Sequence, residues 1–182
     1  MARSPLDSYA DNPGPVRQVA VPPAVRAMST LAHVDYADTF IVDVGSARER
    51  TAEQWARAVV EDASAKVRYA LQAGWSAIGL KLGAAPADRS VLGWEIRRNT
   101  PEFVLLGAES RIGMAGELLF KREQHTLVFA TFVQQDNDAA RAVWAGTEPV
   151  HVPIVRRLLE QASRRCSRSD PTARRSTDNA DV

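Results

Sequence analysis

Residues 141–162 read RAVWAGTEPVHVPIVRRLLEQA and end in the clearest amphipathic pattern of the chain. Apolar side chains recur there at the spacing of one face of a 3.6-residue helix, while arginine, glutamate and glutamine take the other face. The apolar face consists of Ile154, Val155, Leu158, Leu159 and Ala162. Pro153 suits the first turn of this helix, and Pro149 opposes a smooth helical continuation upstream. The stretch therefore predicts two helical pieces joined at residues 147–152, and the second piece needs an apolar partner.

A strand and two helices are predicted first. Residues 36–44, YADTFIVDV, alternate between apolar and polar side chains as a half-buried strand does. Residues 52–63 have the spacing of an amphipathic helix, and Thr51 with Gln54 can form a capping box at its start. A second helix is predicted over residues 65–73, with the following glycine placed to end it.

A series of strands follows the two helices. Residues 78–82 predict a short strand, residues 92–97 alternate, residues 103–108 are nearly all apolar, and residues 116–121 and 127–133 alternate again. Strands joined by such short turns pair as antiparallel neighbours. We expect a curved antiparallel sheet with one face in water and the other wrapped around the long C-terminal helix, which is an α+β fold.

Length and composition favour one domain. The chain has 182 residues, 45% hydrophobic and 25% charged, which suits one globular core with some unstructured flank. Prolines among polar residues predict a flexible arm over residues 1–25, so the folded domain is expected over residues 26–162. Residues 163–182 are rich in arginine and low in apolar residues, which predicts a disordered tail.

Charge and cysteine content exclude several classes of protein. With 23 basic and 22 acidic residues the formal charge is +1, which predicts no nucleic-acid partner. The single cysteine, Cys166, excludes an internal disulfide, and its polar surroundings predict an exposed thiol. No run of eighteen apolar residues and no signal-peptide pattern is present, so we expect a cytoplasmic protein without a membrane span.

The sequence carries few groups arranged for chemistry. His33, His125 and His151 lack the spacing of metal ligands, so neither a metal site nor a cofactor is predicted. Motifs for triad hydrolysis and for nucleotide binding are absent. Alternation places Asp43, Glu95 and Glu117 on solvent faces of the sheet. His151 is the one candidate for a catalytic acid or base, but a structural role beside the final helix is favoured, because the sequence shows no carboxylate positioned to assist it.

The order of elements resembles the helix-grip fold of the START, polyketide-cyclase and plant-allergen-like (SRPBCC) superfamily. Residues 36–38 before the first strand resemble an uncharacterised bacterial branch of that superfamily, as does a set near the end of the domain. That set consists of Trp144, Pro149, His151, Ile154 and Val155. The resemblance covers residues 26–162, but the strands counted are one short of the usual seven.

The resemblance implies a cavity between the sheet and the last helix that holds a hydrophobic small molecule. The implied ligand-binding residues are Trp94, Ile96, Phe129, Thr131, Trp144, His151, Val155 and Leu159. Each of these residues could instead belong to the core. Three hypotheses follow: a non-enzymatic domain that binds a small apolar or aromatic molecule, a cyclase or dehydratase that uses the same cavity, and an interaction module such as a homodimer.

Overall fold

The structure is a computed structural model that describes residues 16–44, 49–83 and 85–168, without the side chains of residues 167 and 168. Four α-helices lie in this part of the chain: α1 (Pro23–Arg26), α2 (Ala52–Val60), α3 (Ala65–Ala77) and α4 (Asp138–Arg168). The strands are β1 (Val16–Val19), β2 (Tyr36–Asp43), β3 (Leu80–Lys81), β4 (Ser90–Val91), β5 (Trp94–Asn99), β6 (Phe103–Ser110), β7 (Gly116–Arg122) and β8 (Thr126–Val133).

The described strands form one antiparallel sheet in the order β1-β2-β8-β7-β6-β5-β4, and β3 pairs with β6. The predicted meander is confirmed, since β5 to β8 are consecutive neighbours. The first long strand, β2, returns to pair with the last one, so that Phe40 lies opposite Phe129. The prediction of an α+β fold with an antiparallel sheet and a long C-terminal helix is therefore confirmed.

Helix α2 and the second half of α4 cover the inner face of the sheet. Phe40, Leu106 and Phe120 point to this side and join Trp55 of α2 and Leu159 of α4 in the main core. Helix α2 begins with the predicted capping box, because the Thr51 side chain accepts from the Gln54 backbone N–H and the Gln54 side chain accepts from the Thr51 backbone N–H.

Helix α3 is longer than predicted. It runs past Gly74 to Ala77, and Gly79, whose φ of +89° suits only glycine well, follows the cap residue Ile78. The helix contains no buried residue, although Val67 and Trp75 pack partly against the core. This thin attachment leaves room between α3 and the sheet.

The outer face of the sheet is covered, whereas the sequence analysis predicted that it would face water. Leu105, Leu119 and Phe132 form a second core on this side. The segment between β1 and β2, with Val25 and Leu31 among its apolar side chains, packs over them. Strands β6 to β8 carry apolar residues on both faces of the sheet, so the outer face has to be covered as well as the inner one.

Glu117 corrects a second expectation about the outer face. Its side chain is fully buried, whereas alternation alone placed it in solvent. Ser29 Oγ and the Thr30 backbone N–H donate to its carboxylate at 2.6 and 3.0 Å, and Arg97 Nη1 pairs with it at 2.9 Å. Asp43 and Glu95 are exposed, so of the three carboxylates that alternation placed in solvent, only Glu117 is buried.

The N-terminal boundary of the domain differs from the prediction. Residues 16–25 were assigned to a flexible arm, but β1 pairs with β2, Val16 opposite Val42, and Val16 is buried. The prolines do not keep this part unstructured, because Pro23 occupies the first turn of α1, where no N–H is needed. Residues 1–15 lie outside the described part.

Helix α4 is continuous from Asp138 to Arg168, so the prediction of two pieces joined at residues 147–152 is wrong. Pro149 and Pro153 lack the N–H that would bond to the carbonyls of Ala145 and Pro149. Ala145 and Pro149 are exposed, so water can bond to the freed carbonyls. Buried side chains before and after the prolines hold both halves against the sheet.

The C-terminal boundary also differs, since residues 163–168 continue α4 instead of starting the disordered tail. Ser163 is buried and donates to the Asp43 carbonyl at 3.1 Å. Cys166, predicted as an exposed thiol, is 6% exposed and belongs to the main core. It extends the inner face of α4 by one further turn beyond Ala162. Residues 169–182 lie outside the described part.

The burial of Cys166 predicts a protected thiol. Burial raises the pKa of the Cys166 thiol, which lowers the fraction of reactive thiolate near neutral pH. We expect the native protein to react with Ellman's reagent at about pH 8 at least about tenfold more slowly than the protein unfolded in guanidinium. In a Cys166→Ser background, a Gln72→Cys variant supplies an exposed thiol on α3 as the control. Equal native and unfolded rates for Cys166 would contradict its placement.

Candidate functional site

A cavity of about 350 Å³ lies at one end of the sheet. Its walls come from α3, from the first half of α4 and from the inner faces of β5, β7 and β8. The space exists because α3 is held away from the sheet while the second half of α4 packs tightly against α2 and β2. Its volume lies in the range of small-molecule sites.

The walls of the cavity are mostly apolar and aromatic. Three indole rings line it, from Trp75, Trp94 and Trp144, and the first two meet edge-to-face with centroids 5.4 Å apart. Val150 and Ile154 of α4 line the rim, and both are exposed large apolar residues. An apolar mouth therefore opens between α3 and α4.

A buried carboxylate stands beside the cavity. The Asp38 side chain is 2% exposed and accepts three hydrogen bonds. Tyr36 Oη donates at 2.9 Å and the Thr131 backbone N–H at 3.2 Å, and His151 Nε2 lies 3.0 Å from the carboxylate. Because these partners come from two adjacent strands and from α4, the carboxylate ties the helix to the sheet. This satisfies a group that would be costly to bury alone.

The Asp38 carboxylate determines which ring nitrogen of His151 carries the proton. A carboxylate only accepts hydrogen bonds, so the ring nitrogen that faces it, Nε2, carries the proton. Nδ1 is then the acceptor of the neutral ring, and no described residue hydrogen-bonds to it. His151 itself lines the cavity. The site thus combines an oriented imidazole with apolar walls.

Aromatic rings enclose the polar pair. Tyr36 lies against Trp144 with ring centroids 4.7 Å apart, and Trp144 lies 5.3 Å from the ring of His151. Burial raises the pKa of Tyr36 above its usual value, and the charge of Asp38 and the hydrogen bond to it raise it further. Tyr36 is therefore held as a neutral donor.

The raised pKa of Tyr36 predicts how the protein responds to alkali. The folded state holds the phenolic proton more tightly, so the stability from this group is present below about pH 10 and is lost as pH rises above that value. We expect Tyr36→Phe to leave the tyrosinate absorbance of the native protein unchanged up to about pH 11, because the Tyr36 phenol keeps its proton in that range. Tyr69→Phe, which removes an exposed phenol, serves as the control. If Tyr36→Phe lowers the tyrosinate absorbance below about pH 11, the result would contradict the hydrogen bond from Tyr36 to Asp38.

The structure separates the eight predicted ligand-binding residues into two groups. Four of them line the cavity: Trp94, Thr131, Trp144 and His151. The other four pack in the main core or against it, and do not line the cavity: Ile96, Phe129, Val155 and Leu159. The division arises because the second half of α4 lies directly on the sheet.

Sequence reasoning placed neither Asp38 nor Tyr36 in the site. The strand period puts both on the same face as Phe40 and Val42, yet only the apolar members and Tyr36 were read as a buried face. An acidic residue at an inward position of a strand needs a partner, so Asp38 was the available signal. Its partner His151 is 113 residues away, a separation that periodicity cannot bridge.

Comparisons with protein-family models, curated proteins and solved structures find no match for this chain. In the described ranges, no group of three or more histidine, cysteine, aspartate or glutamate side chains is placed to hold a metal ion. None of the helices in those ranges is both long and apolar enough to cross a membrane.

Proposed function

We propose that this chain is a helix-grip domain of SRPBCC type that binds a small apolar or aromatic molecule in the cavity between α3, α4 and the sheet. The observation that carries the proposal is the apolar cavity of about 350 Å³. The order of sheet, paired helices and long final helix supports the superfamily assignment.

Unpartnered polar atoms in the cavity wall support a bound ligand. Trp94 Nε1, Trp144 Nε1 and Thr131 Oγ1 are buried and have no hydrogen-bond partner among the described residues. Buried donors of this kind cost free energy unless something satisfies them. All three residues line the cavity, whereas Trp55 Nε1 and Thr39 Oγ1, which are also unpartnered in the described part, belong to residues that do not line it.

Native mass spectrometry against lipid and polyketide-like extracts, followed by thermal shift, tests this proposal. The matched variants are Gly74→Trp, which adds bulk at the cavity wall, and Gln72→Trp on the same helix but outside the wall. A Cβ at Gly74 meets no atom within 4 Å, so the substitution can be accommodated. We expect ligand adducts with the native chain and with Gln72→Trp but not with Gly74→Trp. Identical adducts on all three would overturn the proposal.

An enzyme of the cyclase or dehydratase type is the second candidate, and the Asp38–His151 pair favours it. A positioned carboxylate partner is what His151 lacked in the sequence, and it makes Nδ1 a usable general base at a cavity wall. The test is conversion of a captured molecule by the native chain, with His151→Gln as the comparison. Turnover that persists in His151→Gln would rule out this role.

The interaction module receives less support. That hypothesis expects a solid interior and a large apolar outer patch. The described part of the chain exposes three large apolar side chains: Val150 and Ile154 belong to the mouth of the cavity, and Tyr69 lies on α3. Light scattering at increasing concentration would reveal a homodimer.

A further inference from the structure

The unused nitrogen of His151 indicates which chemical group a ligand would present. Asp38 orients the ring through Nε2, and Nδ1 is left without a partner in the described structure. In the neutral ring Nδ1 is an acceptor only. A ligand atom that meets it therefore has to be a hydrogen-bond donor.

The lack of charged side chains among the described residues of the cavity wall indicates that this donor is neutral. Among the described residues that line the cavity there is no lysine, arginine, aspartate or glutamate. A carboxylate or phosphate would enter without a basic counter-charge and would approach the buried charge of Asp38 behind His151. An ammonium group would find no accessible carboxylate, because Asp38 is sealed by its three partners.

The shape of the wall favours a planar ring system. The indoles of Trp75, Trp94 and Trp144 offer ring faces and edges, and such pairs contribute beyond simple burial of area. Tyr36, which does not line the cavity, packs against the Trp144 ring with centroids 4.7 Å apart. A flat aromatic molecule uses these surfaces better than a flexible chain does.

We infer that the cavity recognises a neutral aromatic molecule through a phenolic or enolic hydroxyl that donates to Nδ1 of His151. This inference rests on the proposed function and narrows it to a ligand class. A hydroxyl on an aromatic ring is a better donor than an alcohol and keeps its proton near neutral pH. His151 is the residue that would discriminate such a ligand from its ether or its hydrocarbon.

The binding affinities of three naphthalene probes, measured by isothermal titration calorimetry near neutral pH, test the inference. The first is 2-naphthol, the second is 2-methoxynaphthalene, which lacks the donor, and the third is 2-naphthoate, which is anionic. We expect the native chain to bind 2-naphthol about tenfold more tightly than the ether, as for one added hydrogen bond, and the naphthoate most weakly.

The variant His151→Phe keeps a ring at the wall but removes the acceptor, and it should bind 2-naphthol and the ether equally. His125→Phe, an exposed position away from the cavity, should keep the tenfold preference. If His151→Phe does not fold by circular dichroism, His151→Gln replaces it, with the preference expected to fall by at least about threefold.

The outcomes separate the two claims. Equal binding of naphthol and ether by the native chain, or tightest binding of the naphthoate, would overturn the hydroxyl inference and leave the cavity proposal intact. Failure of every probe to bind would count against both. A preference that survives in the folded His151 variant would also overturn the inference.

Discussion

Asp38→Ala is expected to lower the free energy of unfolding by about 3 kcal/mol. The substitution leaves three donors without their acceptor: the buried Thr131 backbone N–H and the half-buried Tyr36 Oη and His151 Nε2. It also removes the tie between β2 and α4 at the edge of the cavity. Asp38→Asn keeps the size of the side chain and one acceptor oxygen, so it should lower the free energy of unfolding by less than Asp38→Ala does.

Urea denaturation followed by tryptophan fluorescence measures this difference. Glu95→Ala is the control, because Glu95 is an exposed carboxylate on a strand of the same sheet and its removal should change stability by less than about 0.5 kcal/mol. Losses of equal size for Asp38→Ala and Glu95→Ala would show that the Asp38 cluster does not stabilise the fold. The Asp38 variants should also lose the preference for 2-naphthol, since the His151 ring is no longer oriented.

Glu117→Ala is expected to be the most destabilising change on the outer face, by about 4 kcal/mol. The Glu117 carboxylate is fully buried and satisfies Ser29, Thr30 and Arg97 together. Removing it leaves the buried Thr30 N–H without its acceptor and leaves exposed Glu109 as the carboxylate paired with Arg97. The segment over the outer core should then detach, which hydrogen exchange at the amides of residues 21–34 would report.

Glu109→Ala is the matched control for Glu117→Ala. Arg97 Nη2 pairs with Glu109 at 2.6 Å, on the same face of the sheet, but the Glu109 side chain is 69% exposed. An exposed pair contributes at most about 1 kcal/mol, so the Glu109 variant should be close to the native chain in stability. Similar losses for the two variants would contradict the burial of Glu117.

Gly107→Ala provides an independent test of the same cluster. A Cβ at Gly107 would overlap the Arg97 side chain, so alanine has to push the guanidinium group away from its position beside Glu117. We expect a loss of about 2 kcal/mol by chemical denaturation. Gly146→Ala, whose Cβ meets no atom within 4 Å inside α4, should instead gain up to about 1 kcal/mol from helix propensity. Equal effects of the two substitutions would argue against the close approach of Arg97.

Much of the fold could be predicted because its signals are local. A period of two along β5 to β8 and a period of 3.6 along α2 arise from backbone geometry, so they can be read without knowledge of partners. The capping box of α2 involves residues three apart, and it was found for the same reason. The predicted domain boundaries were wrong where burial depends on a distant element. Val16 is buried because β1 pairs with β2, and Cys166 is buried in the main core.

The candidate site could be predicted only in part. Trp94, Thr131, Trp144 and His151 were identified as wall residues through a resemblance, and the structure does bring them around one cavity. Val155 shared the same expectation but is core. Val155 follows His151 by one helical turn, and only the tertiary structure shows that His151 lines the cavity whereas Val155 packs in the core.

By itself, the sequence determined strand β2, helix α2, the antiparallel pairing of β5 to β8 and the apolar face of the last helix. These features depend on side chains within a few positions of one another. The tertiary structure decided which polar residues are buried and paired, because Asp38 with His151 and Glu117 with Thr30 are contacts across 113 and 87 residues. A buried charge is stable only with its partners in place, so its role appears only when the chain is folded.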